Sequence, residues 1–181
     1  MPQTLAQKIL QAHTDEVVEQ DGQIVQCRVS MVLANDITGP LAIESFRGMG
    51  AKKVFDRNKI ALVMDHFTPQ KDIDSANQVL ISRKFAEEQG IVHYYEGGDC
   101  GVEHTLLPEQ GLVGPGDLVI GADSHTCTYG GIGAFATGMG STDIASAMAL
   151  GETWLKVPPT IRVNIRGHMP KWLRGKDLML M

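Results

Sequence analysis

The stretch that decides the fold of this chain is LVIGADSHTCTYGGIGAFATGMGSTD, residues 118–143. Its apolar start, Leu118 to Ile120, is typical of a buried strand, and an acid, a hydroxyl, an imidazole and a thiol follow within Asp123 to Cys127. Five glycines between Gly130 and Gly140 allow the backbone to approach other groups closely or to adopt a positive φ. Ligands in open α/β sheets bind at the carboxyl ends of strands. The stretch therefore predicts a strand that leads into a ligand site.

Short apolar runs alternate with helical segments along the rest of the chain. Strands are predicted at residues 24–33, 60–64, 91–95, 118–120 and 161–165, and helices at 5–12, 41–49, 72–89, 141–150 and from 176 onward. Asp72 and Ser141 are the expected N-caps of two of these helices. Residues 96–116 are predicted to form a polar loop and a turn-rich connector, because they are rich in glycine and proline. This alternation predicts an α/β fold with a largely parallel sheet.

Bulk composition restricts the class of protein. The 181 residues fit one domain, and 43% hydrophobic with 20% charged residues is ordinary for a soluble globular protein. A net charge of −5 without a Lys/Arg cluster argues against a nucleic-acid partner, and no apolar run approaches the roughly 18 residues of a membrane span. The N-terminus lacks the pattern of a secretory signal, and three widely spaced cysteines suit a reducing compartment, so we expect a cytoplasmic protein without a membrane partner.

Polar side chains follow three of the predicted strands. These are Asn35, the Asp65-His66 pair and the Asp123-Ser124-His125 run, and His104 arrives from a loop. Imidazole titrates near neutral pH and can act as a general acid or base. An adjacent carboxylate could raise the pKa of His66 and make it a proton donor, provided that the backbone has left extended geometry by that point. The alternative is that Asp65 caps a loop and His66 lies on the surface.

Two further alternatives concern neighbouring residues. Asp36 and Thr38 are predicted to cap the helix that follows them.

Residues 131–136 fit the loose dinucleotide pattern G-x-G-x-x-A, with Glu152 at the spacing of a ribose-binding acid. This match is weak, because the glycines of a dinucleotide site follow the strand directly, whereas residues 123–129 intervene here.

The chain resembles the aconitase superfamily, and within it most closely the large subunits of 3-isopropylmalate dehydratases, which are related to homoaconitases. The segments that carry the resemblance are MVLANDITGPLAI at 31–43, VMDHFTP at 63–69, RKFAEEQGI at 83–91, HTLLPE at 104–109 and residues 121–143. They are spread over essentially the whole chain. The resemblance implies an aconitase-like three-layer α/β/α fold, here incomplete, with residues 1–181 as the N-terminal α/β part of a large subunit.

The resemblance also implies an activity, a hydro-lyase reaction that interconverts 2- and 3-isopropylmalate in leucine biosynthesis. A [4Fe-4S] cluster would act as a Lewis acid on the hydroxy-dicarboxylate substrate. By position, Asp65 and His66 resemble the pair that assists departure of the hydroxyl. The remaining site residues are implied to bind the leaving water (His104, His125), to lie near the iron-bound water (Asp123) and to bind substrate (Ser124, Asn35).

Two departures from the family pattern limit what this chain can do. The three ligating cysteines of the family, one alone and two as C-x-x-C, lie beyond Met181, so Cys127 is predicted to be a pocket or packing residue and no metal ligand is expected here. The catalytic base and the substrate arginines also lie outside the chain, partly on a small subunit that is the expected partner. We therefore expect a fragment that is inactive alone. A homoaconitase or methylmalate-type dehydratase, and a binding domain without a cluster, are the alternatives.

Overall fold

The computed structural model describes residues 3–181. The helices are α1 (Leu5–His13), α2 (Gly39–Gly48), α3 (Ile73–Gln89), α4 (Glu103–Glu109), α5 (Ser141–Leu150) and α6 (Gly175–Met179). The strands are β1 (Ile24–Arg28), β2 (Met31–Asn35), β3 (Ile60–Val63), β4 (His93–Tyr95), β5 (Leu118–Gly121), β6 (Phe135–Gly138) and β7 (Glu152–Lys156). Two 3₁₀ segments complete the regular structure, at Gly97–Asp99 and Ser124–Ile132. None of the helices described in residues 3–181 is both long and apolar enough to cross a bilayer.

Five strands form one parallel sheet in the order β4-β3-β2-β5-β6. The chain enters at β2, adds β3 and β4 on one side, and then returns to add β5 and β6 on the other. This reversal places a topological switch point between β2 and β5, where ligands bind in doubly wound sheets. β1 and β7 pair antiparallel as a separate two-stranded ribbon.

Alternate side chains of each strand point to opposite faces of the sheet, and both faces are covered. The sheet is therefore the middle of three layers. On one face Val32 and Leu62 join the core formed with α2, α3 and α5. On the other face Leu33 and Val63 pack with α4 and with the 3₁₀ segment, through Leu107 and Tyr129. The sequence prediction of a three-layer α/β/α fold with a parallel sheet is confirmed.

Helix α3 shows how local sequence sets the bounds of an element. Asp72 is its N-cap, as predicted, and accepts a hydrogen bond from the backbone N–H of Ser75 at 2.9 Å. The helix ends at Gln89, and its C-cap Gly90 has φ +65° and ψ +33°, a left-handed conformation that glycine adopts without steric cost. The next strand of the sheet, β4, begins three residues later. These two caps set the length of the crossover between β3 and β4.

Several predicted elements were wrong in type or extent. The predicted strand 24–33 is two strands in different sheets, and residues 161–165 form no strand. The predicted connector 106–116 begins as the end of α4, which tolerates Pro108 near its C-terminus. Ser141 is the first residue of α5 rather than its cap, which is Gly140. The predicted strand 24–33 divides because β1 and β2 pair with different, distant strands, which no local pattern reveals.

Candidate active site

A cavity of about 640 Å³ opens at the carboxyl ends of β3 and β5. Its walls are formed by the segments that follow these two strands and by the first turn of α4. The lining residues are Asp65, His66, Val102, Glu103, His104, Asp123, Ser124, His125, Cys127 and Thr128. Six of the seven predicted site residues therefore meet in one cavity, and the seventh, Asn35, lies beneath it.

The loop after β5 is held in a tight conformation by Asp123. Its Oδ1 accepts a hydrogen bond from Thr126 Oγ1 at 2.7 Å, and its Oδ2 accepts one from the backbone N–H of His125 at 3.1 Å. Glycines make room for the loop, because a Cβ on Gly121 would lie 2.0 Å from Thr126 Oγ1 and one on Gly138 would lie 2.2 Å from the carbonyl oxygen of Asp123. These two glycines are required by close approach rather than by a positive φ.

The segment after β3 leaves extended geometry at once, so that Asp65 and His66 face each other. His66 Nδ1 lies 2.6 Å from Asp65 Oδ1. Fully buried Asp36, the residue directly after β2, accepts hydrogen bonds from the backbone N–H of His66 at 3.2 Å and of Phe67 at 2.6 Å. Asp36 therefore holds the turn after β3, and the prediction that it caps α2 was wrong. Thr38 is the N-cap of α2 but makes no capping hydrogen bond with its side chain.

His66 is poised to carry a proton at the cavity. Partial burial alone would lower its pKa, but the hydrogen bond to Asp65 and the negative charge of Asp65, with smaller contributions from neighbouring carboxyl groups, outweigh burial and raise the pKa. The side chain is 41% exposed, and its Nε2 makes no hydrogen bond to any group of residues 3–181. This nitrogen can therefore reach a ligand in the cavity.

His104 is enclosed by protein groups on both of its nitrogens. Nε2 lies 3.0 Å from Asp123 Oδ2, and Nδ1 lies 3.2 Å from the hydroxyl of Tyr129. The tyrosine ring also packs edge-on against the imidazole at 5.4 Å between centroids. Burial raises the pKa of Asp123, but hydrogen bonds from Thr126 and His104 outweigh burial and lower it, so Asp123 remains a carboxylate.

His125 and Ser124 lie on the open side of the same loop. The His125 side chain is 82% exposed, with Nδ1 3.2 Å from Asp123 Oδ2. No group of the described chain hydrogen-bonds its Nε2 or the hydroxyl of Ser124, and both residues line the cavity. The Ser124 hydroxyl can donate a hydrogen bond to an anionic ligand, and His125 Nε2 can do so when the ring carries both protons, because the Nδ1 proton faces Asp123.

Asn35 is buried at the end of β2 and uses its whole amide within the protein. Oδ1 accepts from the backbone N–H and the hydroxyl of Thr38, at 3.0 and 2.9 Å, and Nδ2 donates to Glu103 Oε1 at 2.9 Å. Asn35 does not line the cavity. In this structure it supports the cavity wall by holding Glu103 in place.

Glu103 is the functional candidate that the sequence analysis missed. It is 1% exposed, and its backbone N–H donates to Asp65 Oδ2 at 2.7 Å. Burial, followed by the charges of Asp65 and Asp123, raises its pKa to about 7, although the hydrogen bond from Asn35 opposes this. Its position beside His104 is a signal in the sequence, but the glycines of residues 96–104 predict a loop, in which adjacent side chains need not share a site.

The cysteines of this chain do not form a cluster-binding set. Iron–sulfur clusters are held by several Cys thiolates. Cys27 is buried in the core, and Cys100 Sγ donates to the carbonyl of Met64 at 3.3 Å. Burial raises the pKa of both thiols to about 11. Cys127 is exposed at the cavity and is the only cysteine among its lining residues. The residues described here thus fit a substrate wall and do not fit the ligand shell of a cluster.

Comparison with known proteins identifies the family. A model of the aconitase family (aconitate hydratase) matches residues 7–181. The chain is 92% identical over its whole length to a 3-isopropylmalate dehydratase large subunit of Desulfovibrio desulfuricans. Over 99% of the chain it is 76% identical to one of Nitratidesulfovibrio vulgaris and 59% identical to one of Moorella thermoacetica. The chain spans 43% of the length of each of these relatives. It belongs to the aconitase family.

Proposed function

We propose that this chain is the N-terminal part of a 3-isopropylmalate dehydratase large subunit, in which it forms the acid–base wall of the active site. The whole protein would interconvert 2- and 3-isopropylmalate by loss and re-addition of water, a step of leucine biosynthesis. The family match and the names of the close relatives support this assignment. The chain spans 43% of these relatives, so the activity belongs to the whole protein.

The observation that carries the proposal is the Asp65–His66 pair at the cavity. Asp65 and Asp36 hold the imidazole in one orientation, raise its pKa and leave its Nε2 open to the cavity. Loss of a hydroxyl group requires a proton, because hydroxide is a poor leaving group. A positioned imidazolium supplies that proton and accelerates such a step by about 10²–10⁴.

The proton balance of the reaction assigns a role to His66 in both directions. In dehydration the protonated imidazole gives its Nε2 proton to the departing hydroxyl, which leaves as water, and the ring becomes neutral. In rehydration the neutral ring takes a proton from the attacking water. The proton on the adjacent carbon goes to a separate base, which we place outside residues 3–181.

The loop after β5 provides the substrate-binding side of the same cavity. Ser124 and the exposed His125 offer hydrogen-bond donors to a substrate carboxylate, and Asp123 orients the imidazole of His125 through Nδ1. His104 fixes Asp123 from behind at 3.0 Å. This wall would face the second carboxylate of a hydroxy-dicarboxylate.

Two components of the complete enzyme come from elsewhere in this proposal. A [4Fe-4S] cluster would supply Lewis-acid chemistry at the substrate hydroxyl, and its ligands would be cysteines outside this chain. A small subunit would be the partner, as the term large subunit in the names of the relatives suggests.

The test is turnover by the full-length large subunit assembled anaerobically with its small subunit. We expect the complex to convert 2-isopropylmalate to 3-isopropylmalate with a higher kcat/KM than for homocitrate or a methylmalate. A preference for one of those acids would replace the substrate assignment. Failure of the complete complex to dehydrate any of them would contradict the enzyme assignment and favour a binding domain.

A further inference from the structure

The carboxyl group of Glu103 is buried in the wall of the cavity, and one of its two oxygens lacks a hydrogen-bond partner among the described residues. Oε1 accepts a hydrogen bond from Asn35 Nδ2 at 2.9 Å. Oε2 is buried and has no hydrogen-bond partner among the described residues. A buried polar atom without a partner costs free energy, and a full charge on it costs considerably more. The mechanism above does not use this group.

The surroundings of Glu103 make a negative charge there unfavourable. The titratable groups that face it across the site are Asp36, Asp65, His66, Cys100, His104, Asp123 and Tyr129. Asp65 and Asp123 are carboxylates on either side of it. Burial and these two charges raise the pKa of Glu103 to about 7, so the group carries a proton over part of the physiological pH range.

The hydrogen bonds show which oxygen carries this proton. Oε1 is the acceptor for the Asn35 amide, and the hydroxyl oxygen of a carboxylic acid is a poor acceptor. The proton therefore lies on Oε2, which has no competing donor nearby. Asn35, whose Oδ1 is in turn fixed by Thr38, determines this orientation.

Glu103 contacts both Asp–His pairs of the site. Its backbone N–H donates to Asp65 Oδ2 at 2.7 Å, and its Oε1 lies 3.5 Å from His104 Nε2. Its carbonyl oxygen accepts from the Tyr129 hydroxyl at 3.4 Å. A change of charge on Glu103 therefore acts electrostatically on both sides of the cavity. Because the group is buried, solvent ions screen this charge only weakly.

We propose that Glu103 is the charge-balancing residue of this site, which holds a proton on Oε2 while an anionic hydroxy acid occupies the cavity. The identity of the anion rests on the proposed function. An anionic ligand placed beside Asp65 and Asp123 is repelled further when Glu103 is ionised. By linkage, the ligand favours the protonated form of Glu103. Ligand binding is therefore accompanied by uptake of a proton from solvent when the pH lies above the pKa of Glu103 in the empty site.

Kinetics of the full-length complex with its small subunit test the role in binding. Between pH 6 and 9 we expect the KM of the wild type for 2-isopropylmalate to rise above about pH 7, by up to about tenfold per pH unit, as Glu103 ionises. Glu103→Gln mimics the protonated acid and should remove most of this rise, with kcat changed less than KM. Glu109→Gln, on the exposed side of the same helix, is the matched control and should behave as the wild type.

An infrared measurement on the same complex reads the proton without turnover. With ¹³C-labelled glutamate, the wild type should show a protonated-carboxyl band at pH 6 that is lost by pH 8.5, and Glu103→Gln should lack it. Absence of the band in the wild type would overturn the proposal whatever the activity. A rise in KM retained by Glu103→Gln would overturn the charge-balancing role. An inactive complex that shows the band would contradict the proposed function but would still support a protonated Glu103.

Discussion

The two Asp–His pairs of the cavity contain the same residue types but differ in what the imidazole can do. His66 lies 2.6 Å from Asp65 and His104 lies 3.0 Å from Asp123. The side chain of His66 is 41% exposed with Nε2 open to the cavity, whereas that of His104 is 15% exposed with both nitrogens bound to protein groups. An Asp–His contact is therefore insufficient evidence for proton transfer, and the second nitrogen decides the role.

The difference arises from how each pair is assembled. Asp65 and His66 are neighbours in the chain, and Asp36 binds two backbone N–H groups that bend the segment until both side chains face one direction. His104 reaches Asp123 from a separate helix and is backed by Tyr129. The first pair is local and open, and the second is a tertiary contact enclosed by the core.

Replacement of the open imidazole should have the largest effect. In the full-length complex, His66→Asn should lower kcat by about 10²–10⁴, because asparagine cannot donate a proton to the leaving hydroxyl. KM should change little. His168→Asn, at an exposed histidine far along the chain, is the control and should retain wild-type kcat. A His66→Asn enzyme with more than a tenth of wild-type kcat would exclude His66 as the proton donor.

A change in the loop that carries Asp123, the partner of the enclosed His104, should have the second largest effect on kcat/KM. In Gly138→Ala the new Cβ would meet the carbonyl oxygen of Asp123 at 2.2 Å, so the loop must move. A displacement of about 1 Å of a positioning group costs about 10²-fold in rate. Gly130→Ala, in the same stretch but with open space around its Cβ, should stay within threefold of the wild type. Equal kcat/KM for the two variants would contradict this account of the loop.

The smallest expected effect is that of the hydroxyl behind His104. Tyr129→Phe leaves His104 Nδ1 and the Glu103 carbonyl without their partner, at a cost of about 1–3 kcal/mol in the free energy of unfolding. We expect kcat/KM to fall about tenfold, since Asp123 loses part of its support. Tyr95→Phe removes a hydroxyl that makes no hydrogen bond within the described chain and serves as the control. Similar melting temperatures for both variants would show that the Tyr129 hydroxyl is not structural.

The sequence predicted the parallel sheet and its strand ends well, because buried parallel strands are short apolar runs that polar residues follow directly. Residues 60–64 and 118–120 are examples. It failed where pairing depends on distant residues. β7 pairs with β1 across more than a hundred residues, and β6 lies within the glycine-rich stretch, where weak strand propensity conceals the pairing with β5. Residues 161–165 alternate like a strand but have no partner among residues 3–181.

The sequence predicted which polar residues would lie together, but not the contacts that each of them makes. Position along the chain brought His66, Asp123 and four others to one edge, because the carboxyl ends of parallel strands meet there. The roles of Asn35 and Glu103 depend on a contact across 68 residues, which no local pattern reveals. The enclosure of His104 by Tyr129 is likewise a tertiary feature.

The most direct measurement is the pH dependence of kcat in Asp65→Asn, made on the full-length complex. Asp65 contributes a hydrogen bond and a charge that raise the pKa of His66, so the protonated donor of the wild type persists to higher pH. We predict that the alkaline limb of the kcat profile moves to lower pH in Asp65→Asn. A limb at the same pH in both enzymes would contradict the assignment of His66 as the proton donor of this wall.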